Sequence, residues 1–168
     1  ELLFHTFNLL IMPKSTTIPT KSVFKESTFK HLSKHVNHTT VSIITPAYNE
    51  AAIIEKNLLT LYNYMTSLGK KYDWEIVVIN DGSLDKTGEL ADEFAAQRPR
   101  VKVYHHQVNS NLGNALKTGF KKATGEYVVV MDLDLTYAED HIERMLATIE
   151  KTDADIVIAS PYMKGGKN

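Results

Sequence analysis

The chain has 168 residues, 43% of them hydrophobic and 23% charged, with a formal net charge of −1 and no cysteine. This is the composition of an ordinary globular domain, and the nearly neutral balance gives no basis for a nucleic-acid partner. Without cysteine the chain forms neither disulfide bonds nor thiolate metal sites, which is compatible with a cytoplasmic location. The sequence has no apolar stretch of about 18 residues, so no segment of it is predicted to cross a bilayer.

Residues 1–40 are expected to be a flexible leader. Their opening stretch, ELLFHTFNLLIM, is apolar but lacks the basic start and the small-residue cleavage site of a signal peptide. Residues 13–40 are rich in Ser, Thr, Lys and His and show no sustained periodicity. A folded part of the chain is therefore predicted to occupy residues 41–168.

From residue 41 onward, short apolar runs alternate with segments of helical periodicity. The predicted strands are 41–45, 75–80, 101–106, 126–132 and 155–160. The predicted helices are 50–68, 85–97, 112–123 and 137–151. Strands that alternate with helices of this length form βαβ units, so the predicted fold class is α/β, with a Rossmann-like, doubly wound and mostly parallel sheet.

Polar residues are concentrated in the loops that follow the predicted strands. In an open parallel sheet, ligands bind outside the carboxyl ends of the strands. The four loops at those ends read PAYNE (46–50), NDGSLD (80–85), NSNLGNALKTG (109–119) and DLDLT (132–136). The first loop has no G-x-G-x-x-G and the chain has no G-x-x-x-x-G-K-[ST], which argues against a dinucleotide-binding dehydrogenase and excludes a P-loop NTPase.

Two aspartates, Asp132 and Asp134, close the fourth predicted strand. Carboxylates suit a hard divalent cation, Mg²⁺ or Mn²⁺, whose remaining ligands would be waters and substrate phosphates. Such a metal favours a diphosphate-linked substrate, because it neutralises charge on the departing phosphate. A second D-x-D, at Asp153 and Asp155, precedes a strand and is interpreted as a solvated turn. Asp81 has two interpretations, a turn residue or a carboxylate that accepts a hydrogen bond from a nucleobase.

Four segments of the chain carry a family pattern: VSIITPAYNE, EIVVINDGSLDKTGE, NLGNALKTGFKKATGEYVVVMDLDLT and DIVIASPYMKGG. In this order and spacing they resemble family 2 glycosyltransferases of the GT-A fold over about residues 41–166. The most similar branch contains the dolichol-phosphate mannose synthases and other polyprenyl-phosphate glycosyltransferases. The resemblance implies a metal-dependent, inverting transfer of mannose or glucose from a GDP- or UDP-sugar to a polyprenyl or dolichyl phosphate.

The resemblance also implies which residues form the site. The donor-binding set would be Pro46, Tyr48, Glu50, Ile79, Asp81, Asp132 and Leu133, with Ile79 and Asp81 contacting the base. Asp132 and Asp134 are the candidate catalytic residues, and Asp134 and Thr136 are the candidate metal ligands. Thr136 stands where the lipid-phosphate branch often has a glutamine ligand, and Asn111 stands where a glycine is common. The departure at Thr136 leaves the metal geometry and the subfamily open.

The sequence also leaves two classes of acceptor as alternatives. A hydroxyl acceptor requires a general base, for which Glu139 and Asp140 are the candidates, whereas a polyprenyl phosphate is already an anion and requires none. Because family members continue for many more residues, we expect the chain to be C-terminally incomplete. Whether the protein associates with a membrane through regions absent here stays open. The alternatives are a transferase acting on a saccharide or protein hydroxyl and an inactive nucleotide-sugar-binding fragment.

Overall fold

The structure, a computed structural model, describes residues 9–14 and 38–160. Within these ranges the strands are β1 Leu9–Pro13, β2 Thr39–Ala47, β3 Tyr72–Asn80, β4 Val101–His105, β5 Tyr127–Met131 and β6 Val157–Ile158. The helices are α1 Ile54–Ser67, α2 Thr87–Ala96, α3 Leu112–Lys122 and α4 Asp140–Ile149. All six strands lie in one sheet in the order β4-β3-β2-β5-β1-β6. Within the described ranges, every helix falls short of the length or the apolarity that a bilayer crossing demands.

The sheet is parallel except around β1. Strand β2 runs parallel to both β3 and β5, and β3 runs parallel to β4. Strand β1 is antiparallel to its neighbours β5 and β6. The predicted α/β class with a mostly parallel sheet is therefore confirmed. In this register Ala47 lies beside Asn80, and Asn80 lies beside His105, so β2, β3 and β4 end level with one another.

Strand β1 differs from the sequence prediction, which places residues 9–13 in a flexible leader. These residues pair with the whole of β5 instead. The reason lies in their apolar side chains, which alternate between the two faces of the sheet. Ile11 is fully buried in the hydrophobic cluster on one face, and Leu10 and Met12 pack against the cluster on the other. The rest of the predicted leader up to residue 37, apart from Lys14, lies outside the described residues.

Helices cover both faces of the sheet. One face is covered by α1, α2 and α4; the buried residues of α1 recur at helical spacing, at Ile54, Leu58, Leu61 and Met65. The other face is covered by α3, which packs against β2 and β3. A Cβ atom at Gly119 of α3 would lie 2.4 Å from Cγ2 of Ile44, so only glycine permits this close approach of helix and strand.

A buried carboxylate joins the amino ends of the strands. Glu75 of β3 is 7% exposed and accepts hydrogen bonds from Ser42 Oγ (2.6 Å), Lys102 Nζ (2.5 Å), and Thr124 N and Oγ1 (2.7 and 2.8 Å). Burial alone would raise the pKa of Glu75, but these bonds, led by the one from Lys102, lower it to about 2. The charged carboxylate therefore connects β2, β3, β4 and the segment that leads into β5.

An open cleft of about 240 Å³ lies beside Glu75 at the amino edge, away from the loops that follow the strands. Its charged groups are already paired, Lys102 with Glu75 and Arg100 with Asp73. The cleft is therefore a feature of strand-end packing, and the polar loops predicted to bind a ligand lie at the opposite edge.

Candidate functional site

Four loops meet at the carboxyl edge of the sheet, in agreement with the sequence prediction. They follow β2, β3, β4 and β5, whose ends lie side by side. Main-chain hydrogen bonds join neighbouring loops at their first residues. Asp81 N–H donates to the carbonyl of Ala47 (2.9 Å), and His106 N–H donates to the carbonyl of Asn80 (2.9 Å). The polar side chains of these loops consequently share one surface.

Side chains of the loop after β3 hold the loop after β2. Asn49 has a left-handed φ of 54°, a conformation that asparagine adopts more readily than most residues. Its N–H donates to Ser83 Oγ (3.0 Å), and its Oδ1 accepts from Leu84 N–H (2.8 Å). The N–H of Glu50 donates to Thr87 Oγ1 (2.7 Å). The main chain that carries Glu50 is therefore fixed by residues more than thirty positions away.

Asp85 reinforces the same junction. Its Oδ1 accepts from the hydroxyl (2.5 Å) and the N–H (2.9 Å) of Thr87, and its Oδ2 accepts from Ala51 N–H (3.1 Å). These bonds, the one from the Thr87 hydroxyl first, hold the pKa of Asp85 below its usual value. Asp85 is thus an anion at neutral pH, immediately before α2 begins.

Asp81 follows β3 directly and is 4% exposed. Its Oδ1 accepts from Ser110 N–H (3.0 Å) and lies 2.6 Å from Nδ1 of His106. The other ring nitrogen of His106, Nε2, lies 2.9 Å from the hydroxyl of Thr118 in α3. The chain then turns at Gly82, whose φ is 68°, and a Cβ at that position would collide with the main chain of the loop after β4. Asp81 is therefore held in a defined position at the edge of the sheet.

The loop after β5 is anchored through its second residue. Leu133 is 1% exposed, and its carbonyl accepts from Nδ2 of Asn57 in α1 (2.9 Å). Leu135 has a left-handed φ of 52°, which marks a tight turn. Asp134 is exposed, and its Oδ1 accepts from Thr136 N–H (2.9 Å). The buried leucine thus fixes the loop while the Asp134 carboxylate remains open to solvent.

The pKa of Glu50 is shifted by burial and by carboxylates on the other loops. Burial raises the pKa of its carboxyl group, and Asp134, Asp132 and Asp85 raise it further, in that order, to about 7. Its Oε2 is buried and has no hydrogen-bond partner among the described residues. The carboxyl edge therefore concentrates negative charge around a partly buried acid, and the site is electrostatically suited to a cation.

The donor atoms at this edge are hard oxygens, the type that Mg²⁺ and Mn²⁺ prefer. Asp132, Asp134 and Thr136 lie within one short loop. Nowhere in residues 9–14 and 38–160 do three or more Asp, Glu or His side chains come close enough together to enclose a metal ion. The protein atoms therefore fit part of a coordination shell, and other ligands would have to complete it.

Comparison with family models identifies the type of protein that carries this site. Residues 42–168 match the model described as Glycosyl transferase family 2. The chain belongs to this family. The resemblance inferred from the sequence is thereby confirmed, and the family match includes all four loops of the carboxyl edge.

Curated relatives of this family 2 chain include two enzymes named for dolichol-phosphate chemistry. It is 39% identical over 127 residues to the dolichol-phosphate mannosyltransferase of Pyrococcus furiosus, which covers 76% of this chain and 34% of the relative. It is 33% identical over 124 residues to the dolichyl-phosphate beta-glucosyltransferase ALG5A of Trichomonas vaginalis, which covers 70% of this chain and 38% of the relative. The chain therefore spans about a third of the length of these relatives.

Solved structures agree on the fold of the family 2 chain. The mannosyltransferase PcManGT from Pyrobaculum calidifontis, solved in complex with GDP-Man and Mn²⁺, matches with a TM-score of 0.56 and 30% identity, over 65% of this chain and 32% of that one. TarS 1–349 of S. aureus matches with a TM-score of 0.52 and 24% identity, over 70% of this chain and 34% of that one, and supports the fold alone. The predicted GT-A fold class is thus confirmed over the shared part.

The residues that the family resemblance implies for donor binding differ in exposure. Tyr48 is 44% exposed, and Pro46, Glu50 and Asp132 are partly exposed beside it or in the facing loop. Ile79 and Leu133 are 0% and 1% exposed, and their side chains lie in the hydrophobic core. In this structure a sugar-nucleotide donor would therefore contact only the main-chain atoms of Ile79 and Leu133.

Several residues that hold the site were not singled out from the sequence. They are Asn57, Ser83, Asp85, Thr87 and Thr118. Ser83, Asp85 and Thr87 had a detectable signal, because a polar run just before a helix is typical of side chains that bond to main-chain N–H groups. Asn57 had none, since it is an ordinary polar residue on a helix until the loop after β5 is placed against it.

Proposed function

We propose that this chain forms the donor-binding part of a metal-dependent, inverting glycosyltransferase. Its donor would be a GDP- or UDP-sugar carrying mannose or glucose, and its acceptor a polyprenyl or dolichyl phosphate. The observation that carries the proposal is the negative charge at the carboxyl edge of a family 2 fold. There the charges of Asp134 and Asp132 act on the partly buried acid Glu50. A bound cation would offset this negative charge and that of a diphosphate.

The nucleotide would bind between the loops after β2 and β3. Asp81 offers a carboxylate oxygen to an N–H on the pairing edge of a base, which guanine and uracil both possess. Tyr48 is exposed beside this position and offers an aromatic face for stacking. The solved relative that holds GDP-Man supports a guanine nucleotide as the first donor to test.

The metal would be held by Asp134 together with Asp132 and Thr136, and Mn²⁺ is supported by its presence in the same solved relative. When bound, the ion supplies positive charge that offsets the charge developing on the leaving diphosphate. The structure supports this through Glu50, because its buried, unpartnered Oε2 and raised pKa indicate uncompensated negative charge at this place. Thr136 N–H orients the Asp134 carboxylate through its hydrogen bond.

In the proposed reaction, a phosphate oxygen of the acceptor attacks the anomeric carbon from the side opposite the diphosphate. The new bond from carbon to oxygen forms as the bond to the diphosphate breaks, so the configuration inverts and the nucleoside diphosphate departs. An acceptor phosphate is already an anion, so this route needs positioning and charge stabilisation but no general base. The names of the two dolichol-phosphate enzymes among the curated relatives support a lipid-phosphate acceptor.

Calorimetric titration of GDP-mannose and UDP-glucose, with and without Mn²⁺, tests the donor site. The wild-type chain is expected to bind one of these donors in a metal-dependent manner, and Asp134→Ala is expected to remove that metal dependence while the circular dichroism spectrum is retained. Asp155→Ala, in the exposed second D-x-D, is the matched control and is expected to bind like wild type. No binding of either donor, or unchanged metal-dependent binding by Asp134→Ala, would refute the proposal.

Transfer of radiolabelled sugar, followed by lipid extraction, tests the acceptor. Label in the lipid phase with dolichyl phosphate present supports the lipid-phosphate route, whereas label on an added saccharide contradicts it. Metal-dependent donor binding without any transfer would identify the chain as a donor-binding part only. The chain spans about a third of the length of these two relatives, so sugar transfer has to be measured separately from donor binding.

A further inference from the structure

His106 connects the buried carboxylate of Asp81 to helix α3. Its Nδ1 lies 2.6 Å from Oδ1 of Asp81, and its Nε2 lies 2.9 Å from Oγ1 of Thr118. A carboxylate only accepts hydrogen bonds, so Nδ1 carries a proton and donates it. The side chains of His106 and Asp81 are 18% and 5% exposed, and their bond is therefore largely shielded from water.

Both described hydrogen bonds to the Asp81 side chain end on the same oxygen. His106 Nδ1 and Ser110 N–H each donate to Oδ1. Within the described residues, Oδ2 receives no hydrogen bond from the protein. Rotation of the carboxylate would break both bonds to Oδ1 together, so the contacts from His106 and Ser110 determine that Oδ2 is the oxygen presented to a ligand.

We propose that His106 is a positioning residue that determines base specificity. By fixing Oδ1 it turns Oδ2 of Asp81 toward the ring N–H of a base, which uracil and guanine carry. Cytosine and adenine present a ring nitrogen lone pair at the same place, and a fixed carboxylate repels it. A carboxylate free to rotate would turn away from that lone pair and discriminate less. The inference rests on the proposed function, because it requires that Asp81 contacts the base.

The chain contains a matched control in the preceding residue. His105 is also paired with a carboxylate, since its Nε2 lies 3.1 Å from Oδ1 of Asp92, and its Nδ1 lies 3.0 Å from Nδ2 of Asn80. Its side chain is 40% exposed, and none of its described contacts involves Asp81. If the loss of any histidine at this strand end weakened nucleotide binding, His105→Gln would therefore weaken it as well.

The test is calorimetric titration of GDP, UDP, CDP and ADP into wild type, His106→Gln, His106→Asn and His105→Gln. Asparagine places an amide N–H near the position of Nδ1, whereas glutamine places its amide near Nε2 and leaves Oδ1 without that donor. His106→Gln is expected to weaken the preferred nucleotide about tenfold, as for one hydrogen bond to a charged group. CDP and ADP are expected to bind more tightly to this variant than to wild type, because the freed carboxylate turns away from their ring lone pair. His106→Asn is expected to bind each nucleotide with an affinity within about threefold of that of wild type. His105→Gln is expected to bind each nucleotide as wild type does.

The inference and the proposed function fail in different ways. If wild type binds GDP or UDP and His106→Gln has the same base preference as wild type, the role of His106 is refuted and the proposed function stands. If His106→Gln weakens all four nucleotides equally, as a merely structural residue would, the specificity role is also refuted. If wild type binds none of the four, both the donor site and the role of His106 are overturned.

Discussion

Asn57 and Leu133, 76 positions apart in the chain, are joined by a hydrogen bond of 2.9 Å from the Asn57 side chain to the Leu133 carbonyl. Leu133 is the central residue of the D-x-D loop, and its side chain is 1% exposed. Helix α1 therefore holds the main chain between the two aspartates from one side, while the core holds the leucine side chain from the other. The position of Asp132 and Asp134 thus depends on a residue that carries no charge.

Replacing Asn57 with leucine is expected to weaken metal-dependent donor binding about tenfold, because the loop that carries both aspartates loses its side-chain anchor. The free energy of unfolding should fall by about 1 kcal/mol, the net value of one hydrogen bond. Calorimetry and urea denaturation measure the two effects. Asn63→Leu, on an exposed position of α1, is the control and should bind like wild type. Equal donor affinity of the two variants would contradict the anchoring role.

Asn111→Gly is expected to stabilise the chain. Asn111 has φ 72° and ψ 161°, a region that is nearly exclusive to glycine and costs other residues about 1–3 kcal/mol. The hydrogen bond that its side chain accepts from Asn114 N–H is long, at 3.3 Å, and glycine at such a cap costs only a few tenths of a kcal/mol. The free energy of unfolding, measured in urea, should rise by about 1 kcal/mol. Asn109→Gly, in the same loop but without a positive φ, should not stabilise, and a loss of stability in Asn111→Gly would contradict the strain.

Glu50 is expected to make the metal-free protein less stable as the pH rises. The pKa of its carboxyl is about 7 in the folded chain against an ordinary value of 4.5, so the folded state favours the protonated form. Its contribution is fully present below pH 4.5 and is lost as the pH rises to about 7, by up to about 3 kcal/mol. Unfolding in urea with EDTA, from pH 4.5 to 7.5, measures the slope. Glu50→Gln should remove this part of the slope and Glu55→Gln should retain it; parallel curves for all three proteins would refute the assignment.

Glu75 is expected to act in the opposite direction at lower pH. Its pKa falls from 4.5 to about 2 on folding, so its contribution is present above pH 4.5 and is lost as the pH falls toward 2, by about 3 kcal/mol. Glu75→Gln should therefore destabilise the chain strongly at pH 7 and much less at pH 3. The exposed Glu126→Gln is the control. An effect of Glu75→Gln that does not change between pH 7 and pH 3 would contradict the charge-based role.

Much of the fold follows from local sequence pattern. The five strands and four helices predicted from residue 41 onward are all present, although their ends differ by a few residues. Helix α1 begins at Ile54 and not at residue 50, because the main-chain N–H groups of Glu50 and Ala51 bond to Thr87 at the start of α2 and to Asp85 in the loop after β3. Strand β3 begins at Tyr72, earlier than predicted, since Tyr72 to Trp74 pair with the start of β2. Such boundaries depend on tertiary hydrogen bonds that periodicity does not contain.

The candidate site, like the fold, has residues that the sequence pattern reveals and contacts that depend on tertiary structure. Asp81, Asp132 and Asp134 are detectable because the carboxyl ends of parallel strands meet at one edge. The contacts made by Asn57 and His106 join loops distant in sequence, and no spacing rule specifies them. The raised pKa of Glu50 likewise arises from burial and from carboxylates on other loops, so it exists only once the fold has brought them together.

The position of β1 has a consequence for how the chain acquires its structure during synthesis. This strand is synthesised before the other strands that the structure describes, yet its partner β5 is made only after β2, β3 and β4 and the intervening helices. Until β5 is made, Leu10, Ile11 and Met12 have no neighbouring strand to pair with. An unpaired apolar strand is a target for chaperones and for pairing with other chains. Closure of so long a loop is slow, so the final joining of β1 is expected to be the step at which nascent molecules are most easily lost to aggregation.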